Sequence, residues 1–289
     1  MVKDKEKRGL PVIPPDREDD LHNLDYVDSA DLVLFVAGNQ FMVMDELIRV
    51  FQEVHGDVRK VFYETLPPGL ELKQILAGGA IFRDRVVDVL PDIYASVTEK
   101  AMKHLEREEF IDKESYFLYL HNRIVLMVPE GNPAHIASLA DLGRDEVRIS
   151  QPNPEYEDIA YYIIDMYRQG GGEDLVHRIM EKKRAEGRTI LTVVHHRETP
   201  LRVTKGTVDV GPVWATEVIH ARRSNLAVDM VEPGENLDQR DRINYYICKL
   251  KNAAHPENAE KFLDFIKSAP AQGIYATHGF VPHFEASVQ

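Results

Sequence analysis

Four short segments hold side chains suited to binding a small molecule, and each lies where an apolar run of strand length gives way to a helical pattern. The first is Val36-Ala37-Gly38-Asn39-Gln40. Unpaired N–H groups and the positive end of a helix dipole gather at such a junction, so an oxyanion can be held at Gly38 and Asn39 without a formal charge. Taken by itself, Asn39 reads more simply as an ordinary N-cap. The second is Tyr63-Glu64-Thr65-Leu66-Pro67-Pro68-Gly69, in which the Thr65 hydroxyl can donate a hydrogen bond; a plain turn is the alternative. The third, His195-His196-Arg197-Glu198-Thr199-Pro200, places His196 and Arg197 as donors for a carboxylate or oxyanion at the mouth of a strand. Adjacent histidines on a strand point to opposite faces, which makes His195 and His196 poor joint ligands for a metal. The other reading is an Arg197–Glu198 surface pair with solvated histidines. The fourth, Asp209 through Glu217, includes Trp214, the one tryptophan of the chain. Placed between a strand and a helix, Trp214 walls a pocket or fills a core.

The signatures of common enzymes are missing from the sequence. It contains no G-x-S-x-G elbow, no P-loop, no H-E-x-x-H and no G-x-G-x-x-G after a strand. Gly170-Gly171-Gly172 falls between helical stretches and reads as a loop. No pair of carboxylates is singled out by spacing. These absences point to a binding protein with no catalytic residue, no metal and no cofactor.

The elements that must position these segments alternate. Asp31–Ala37 is an apolar run of buried-strand length, and the pattern after it puts Met44, Leu47, Ile48 and Phe51 on one helix face. Similar strand-then-helix units occur at 58–63 with 70–77, 92–96 with 99–106, 147–151 with 159–167 and 190–194 with 200–205. Alternation of this kind implies parallel sheets covered on both faces. Arg123–Pro129 and Ile243–Leu250 are further strand-like segments that flank a middle section and are candidates for paired crossings between two lobes. Residues 1–28, with Pro11, Pro14, Pro15 and dense charge, read as a flexible lead. The expected organisation is therefore a lead (1–28), the first part of lobe 1 (29–122), lobe 2 (123–242), and a return to lobe 1 ending in a helix pair (243–289).

Bulk properties agree with a globular α/β chain of 289 residues, too long for one ordinary domain. Thirty-five Lys plus Arg against 48 Asp plus Glu leave a formal charge of -13, and no basic stripe is present, which argues against nucleic acid as a partner. The same field repels an anion at long range, so an anion site needs local dipoles or a buried cation. Cys248 is the only cysteine, which excludes an intramolecular disulfide and a CxxC site. The first twenty residues have no apolar core of a signal peptide and no 18-residue apolar run exists, so the chain is peripheral to a membrane at most. Either it stays inside the cell or an export signal was removed from it.

Seven segments, in order, resemble the molybdate-type periplasmic solute-binding proteins of ABC transporters. They are LVLFVAGNQFMVMDELIRVFQ, LELKQILAGGA, PDIYASVTEKAMKHL, HNRIVLMVPEGNP, ISQPNPEYEDIAYYIIDMY, GTVDVGPVWATEV and HPENAEKFLDFIKSAPAQGIYATHGF, together spanning about residues 31 to 282. The resemblance implies the type II periplasmic-binding-protein fold: two doubly wound lobes with mixed, mostly parallel sheets, joined by crossing strands, with a ligand cleft between them. It implies a monomer in the periplasm or outside the cell, which closes by hinge motion on a small anion and delivers it to an ABC permease. Carried over by position, the oxyanion contacts fall at Gly38, Asn39, Thr65, Ile159, Ala160, His196 and Trp214, with Arg197 beside them. Asn39 stands where the molybdate binders usually have serine, Trp214 where they have tyrosine, and His196-Arg197 where a small apolar residue offers its N–H. Those changes alter the volume and charge of the pocket and make a small carboxylate a rival to molybdate or tungstate, since a carboxylate favours a bidentate guanidinium. Two other classes share the fold. One is a cytosolic ligand-sensing domain of a regulator, against which stands the lack of a helix-turn-helix or basic patch. The other is an enzyme using His195, His196 or Glu198 as acid or base.

Overall fold

The computed structural model describes residues 9–155, 157–193 and 198–284. In chain order the first strands and helices are β1 (Val12–Ile13), β2 (Leu21–His22), β3 (Leu32–Phe35), α1 (Phe41–Val54), β4 (Val61–Glu64), α2 (Pro68–Ala77), β5 (Ala80–Phe82), β6 (Arg85–Val87), β7 (Ile93–Ser96), α3 (Glu99–Arg107) and β8 (Phe117–His121). There follow β9 (Ile124–Pro129), β10 (Ile149–Gln151), α4 (Ile159–His177), α5 (Lys183–Ala185), β11 (Thr189–Leu191), α6 (Glu198–Thr204), β12 (Gly211–Trp214), α7 (Ala215–Arg223) and β13 (Val228–Val231). The chain then adds β14 (Asn244–Lys249), α8 (Pro256–Lys267) and α9 (Ala269–Thr277). Two units result. Unit 1 holds the chain up to His121 with Asn244–Thr277 and the residues from Pro282, and unit 2 holds Asn122–Ile243 with His278–Val281.

The sheet of unit 1 contains the order β8-β14-β7-β3-β4-β2. β3 lies between β4 and β7 and is parallel to both, with Leu32 opposite Val61 and Leu34 opposite Ile93. All four β3 residues are buried, as a strand covered on both faces requires. Helix α1 buries Met44, Leu47, Ile48 and Phe51, and Phe51 meets Phe262 of α8 edge to face at 5.2 Å. Buried Asp92 accepts hydrogen bonds from Val33 N (2.8 Å) and His255 N (2.8 Å), tying β3 to the start of α8.

Three features differ from what local pattern suggests. Residues 9–28 are not a free lead over their described length. β1 pairs with β5, β2 pairs with β4, and Ile13, Leu21 and Val27 are buried in the core of unit 1. Two-residue strands are too short to show a period, and their stability comes from partners about forty to seventy residues away. Ile13→Ala is expected to cost about 2–4 kcal/mol in chemical denaturation, whereas a lead without structure would lose nothing. Parallel pairing is concentrated at β4-β3-β7, β10-β11 and β1-β5, while β14 runs antiparallel to both β7 and β8 and β9 antiparallel to both β12 and β13. The chain passes from one unit to the other at His121–Asn122 and Ile243–Asn244, where the two segments expected to cross begin; β9 belongs to unit 2, and β14 belongs to unit 1 and pairs with β8, with Asn244 opposite His121. Finally, Gly170–Gly172 lies within α4, which is interrupted at Gly172 (φ 68°, ψ -173°), a backbone state that only glycine enters cheaply.

In unit 2, β12-β9-β13 form an antiparallel sheet, and the parallel pair β10-β11 continues through a bridge from Ile149 to Val210 just before β12. In chain order α4 follows β10, α6 follows β11, and α7 begins directly after β12. Among the described residues, no helix is long and apolar enough to cross a membrane.

Candidate functional site

In unit 1 the candidate residues follow the carboxyl ends of β3 and β4, the end of a parallel sheet at which ligands bind in doubly wound proteins. After β3 the chain makes a tight turn, Gly38–Gln40, and enters α1. A Cβ on Gly38 would come within 2.9 Å of the Thr65 carbonyl oxygen, so glycine there allows the two strand ends to touch. Gly38, Asn39 and Thr65 are thus brought together.

Their hydrogen bonds define what they can offer. Asn39 is buried, with Nδ2 against Tyr245 Oη and Oδ1 without a partner among the described residues. The amide turned by half a rotation accepts from Tyr245 and leaves its NH2 free to donate. Gln40 is fully buried; its Oε1 accepts from Tyr119 (2.9 Å) and Tyr275 (3.1 Å), and its Nε2 has no partner among the described residues. Both tyrosines are held neutral by burial, which raises their pKa, so the carbonyl side of Gln40 is saturated and its unsatisfied groups are donors. A buried donor left unpaired costs about 1–3 kcal/mol, and a ligand acceptor removes that cost. Thr65 is fully buried. Its N–H donates to Asp20 O (2.9 Å) and its hydroxyl is 2.9 Å from His22 Nε2.

Behind this turn lies a buried acidic group. Glu64 Oε1 accepts from Gln74 Nε2 (3.0 Å) and Glu71 Oε1 from Leu66 N (3.1 Å), while Oε2 of each has no partner among the described residues. Burial pushes the Glu64 carboxyl up to about 8, and burial and then the nearby Glu64 push Glu71 well above the usual range. Glu64 therefore favours the protonated form at neutral pH, and Glu71 is displaced in the same direction.

In unit 2, Ile159 and Ala160 open α4 and are buried. Trp214 ends β12, is 5% exposed, and its ring centre lies 6.2 Å from that of Tyr162 on the first turns of α4. The structure thus joins Trp214 to the start of α4. His196 and Arg197 lie outside the described residues. What flanks them is tied down: Val193 N donates to Glu198 Oε1 (2.8 Å), and Arg202 pairs with Glu198 (2.6 Å) while donating to the carbonyls of Ile190 and Leu191 (both 3.1 Å).

Sequence reasoning missed Gln40, Tyr245 and His22. Gln40 was within reach as the next polar residue of the same turn. Tyr245 and His22 carry no local signal, because each meets its partner only through a distant strand.

The family model described as bacterial extracellular solute-binding protein matches residues 32–281. The lipoprotein YvgL of Bacillus subtilis (strain 168), assigned to ABC transporter substrate binding, is 25% identical over 193 residues. That match covers 65% of this chain and 66% of YvgL, just under two thirds of its length. The periplasmic molybdate-binding protein of Azotobacter vinelandii superposes with a TM-score of 0.66 at 21% identity, over 86% of this chain and 98% of that one. The sulfate-binding protein SubI of Mycobacterium tuberculosis H37Rv does so with a TM-score of 0.66 at 19% identity, over 87% of this chain and 86% of that one.

Proposed function

Because the chain belongs to the bacterial extracellular solute-binding proteins and has the type II periplasmic-binding-protein fold, we propose that it captures a small oxyanion with neutral donors and presents it to an ABC permease. The observation that carries this reading is the turn after β3. There a fully buried Gln40 keeps its donor nitrogen unpaired, beside the Asn39 amide and the backbone of Gly38. Buried donors without a formal charge suit an oxyanion in a protein of net charge -13, where binding depends on local dipoles. On this reading Thr65 adds a hydroxyl donor. Ile159 and Ala160 add the N–H groups of the first turn of α4, Trp214 adds an apolar wall, and His196 with Arg197 sets the preference between a tetrahedral oxyanion and a carboxylate.

Ligand capture would proceed by hinge closure at the chain passages His121–Asn122 and Ile243–Asn244, in a monomer acting outside the cytoplasm. Molybdate and sulfate enter as candidates because related structures bind them, and a small carboxylate because of Arg197. The sensor alternative finds no support in an extracellular solute-binding family, and catalysis none in a family of binding proteins.

The test is a thermal-shift and tryptophan-emission titration with molybdate, tungstate, sulfate, phosphate and small carboxylates. Binding to the native state raises the melting temperature by mass action, and Trp214, the only tryptophan, reports on the start of α4. A shift with an oxyanion accompanied by an emission change supports the reading. A shift with carboxylates alone moves specificity to Arg197, and a shift without emission change removes Trp214 from the site.

A further inference from the structure

We propose that His22 is a positioning residue of the anion site: its imidazolium donates to the Thr65 oxygen, turning the Thr65 hydroxyl proton toward the bound anion and making capture pH-dependent. The inference rests on the reading that Thr65 contacts the ligand, and it assigns a role to a residue from the part of the chain that sequence pattern leaves without function.

The geometry is specific. His22 Nε2 lies 2.9 Å from Thr65 Oγ1, while the Thr65 N–H is already committed to Asp20 O at 2.9 Å. The segment 20–22 thus holds Thr65 at both backbone and side chain. A hydroxyl has one proton and two lone pairs. If Nε2 carries a proton, Thr65 accepts from it and keeps its own proton for the ligand. If Nε2 is a bare lone pair, Thr65 must donate to His22, and its remaining lone pairs then face the anion and repel it. The imidazolium is the state in which Nε2 carries a proton without regard to tautomer, and it adds a positive charge behind the hydroxyl.

The surroundings favour that cation. The His22 ring stacks on Tyr63 with centres 4.2 Å apart and planes 4° from parallel. Tyr63 Oη donates to Asp45 Oδ1 at 2.7 Å, which enriches the ring in electron density. The other charged or titratable groups on the elements around His22 are Asp16, Arg17, Glu18, Asp19 and Asp20 of the preceding turn, Asp25 and Tyr26 of the following turn, Glu64 on β4, and Glu71 and Lys73 on α2. Of the two cations among them, Arg17 and Lys73, Arg17 is paired with Asp20 at 3.2 Å. With Glu64 and Glu71 displaced toward their neutral forms by burial, the negative charge around the ring comes from the acidic residues of the two flanking turns. Because the anion gains from the protonated form, linkage requires the anion to raise the imidazole pKa and the affinity to fall as pH rises through it.

The experiment is calorimetric titration of sulfate and of molybdate between pH 6 and 9 into the full chain and into His22→Gln and His22→Phe, with imidazole titration by NMR with and without sulfate. For the wild type, affinity is expected to fall about tenfold or more across the range, the scale of one charge-assisted hydrogen bond. His22→Gln, whose amide NH2 donates at every pH, is expected to bind with a flat profile. His22→Phe, which keeps the stack on Tyr63 but has no donor, is expected to bind more weakly throughout, and sulfate is expected to move the His22 titration upward in the wild type. A wild-type profile as flat as that of His22→Gln, with binding intact, overturns the role of His22 and leaves the anion site standing. Absence of binding by either anion at pH 6 overturns the site itself and this inference with it.

Discussion

Above pH 8, the Glu64→Gln variant is expected to be more stable than the wild type, by up to about 4 kcal/mol. Glu64 is fully buried at the end of β4, and its carboxyl is pushed from its ordinary 4.5 to about 8 by desolvation, against a smaller opposite effect of the Gln74 hydrogen bond. The folded state therefore holds a proton that the unfolded chain releases near its ordinary value. A group whose folded pKa is raised gives its full contribution below the unfolded pKa and loses it as pH rises through the folded one, so the loss runs from about pH 4.5 to 8. At about 1.4 kcal/mol for each pH unit, the wild type pays several kcal/mol by pH 9. Glutamine has the shape of the protonated carboxyl and never ionises, so the variant keeps the contact to Gln74 and escapes the loss. Glu71 remains and retains its own slope, because burial raises it as well. Chemical denaturation at intervals from pH 5 to 9.5 separates the outcomes. Curves for the two proteins that run parallel would mean that Glu64 is ionised in the folded state, with a counter-charge the structure does not reveal.

Asn39→Asp is expected to weaken oxyanion binding by about a hundredfold or more, and Asn39→Ser by about tenfold or less. A carboxylate about 4 Å from a bound anion repels it by several kcal/mol at the screening typical of protein sites, and 2.7 kcal/mol is already a factor of about 100. Serine retains a donor at the same turn. Tyr245 stands beside the amide in either orientation, so Asn39→Asp also forces a buried acid against a phenol, and its melting temperature must be followed with its affinity. Calorimetry with sulfate and molybdate reads both variants. Equal weakening by Asp and Ser would mean that only the shape of Asn39 matters, and no weakening by Asp would place the anion away from the turn after β3.

Both predictions concern residues whose neighbourhood was only partly legible in the chain. The apolar run at Asp31–Ala37 and the face of Met44, Leu47, Ile48 and Phe51 announce β3 and α1, because a period of burial is written locally in residue type. The strand-to-helix junctions at Gly38-Asn39, Thr65, Ile159 and Trp214 follow from the same alternation, and the order of seven such segments is enough to place the chain among solute-binding proteins. Glu64, by contrast, reads as a polar residue of a turn. Only pairing with Leu21 on one side and packing of α2 on the other removes it from water.

The sequence by itself therefore determined the alternation of strands and helices, the family, the absence of a disulfide, and the places where polar turns meet helix starts. The tertiary structure decided the partners: that residues 12–22 close the edge of unit 1, that His22 meets Thr65 and Tyr245 meets Asn39, that β14 runs antiparallel between β7 and β8, and that two glutamates are buried together. The physical reason is one of range. Periodicity and turn chemistry act over a few residues and leave a trace in composition, whereas a hydrogen bond between residues 22 and 65, or 39 and 245, depends on chain closure that no local pattern encodes.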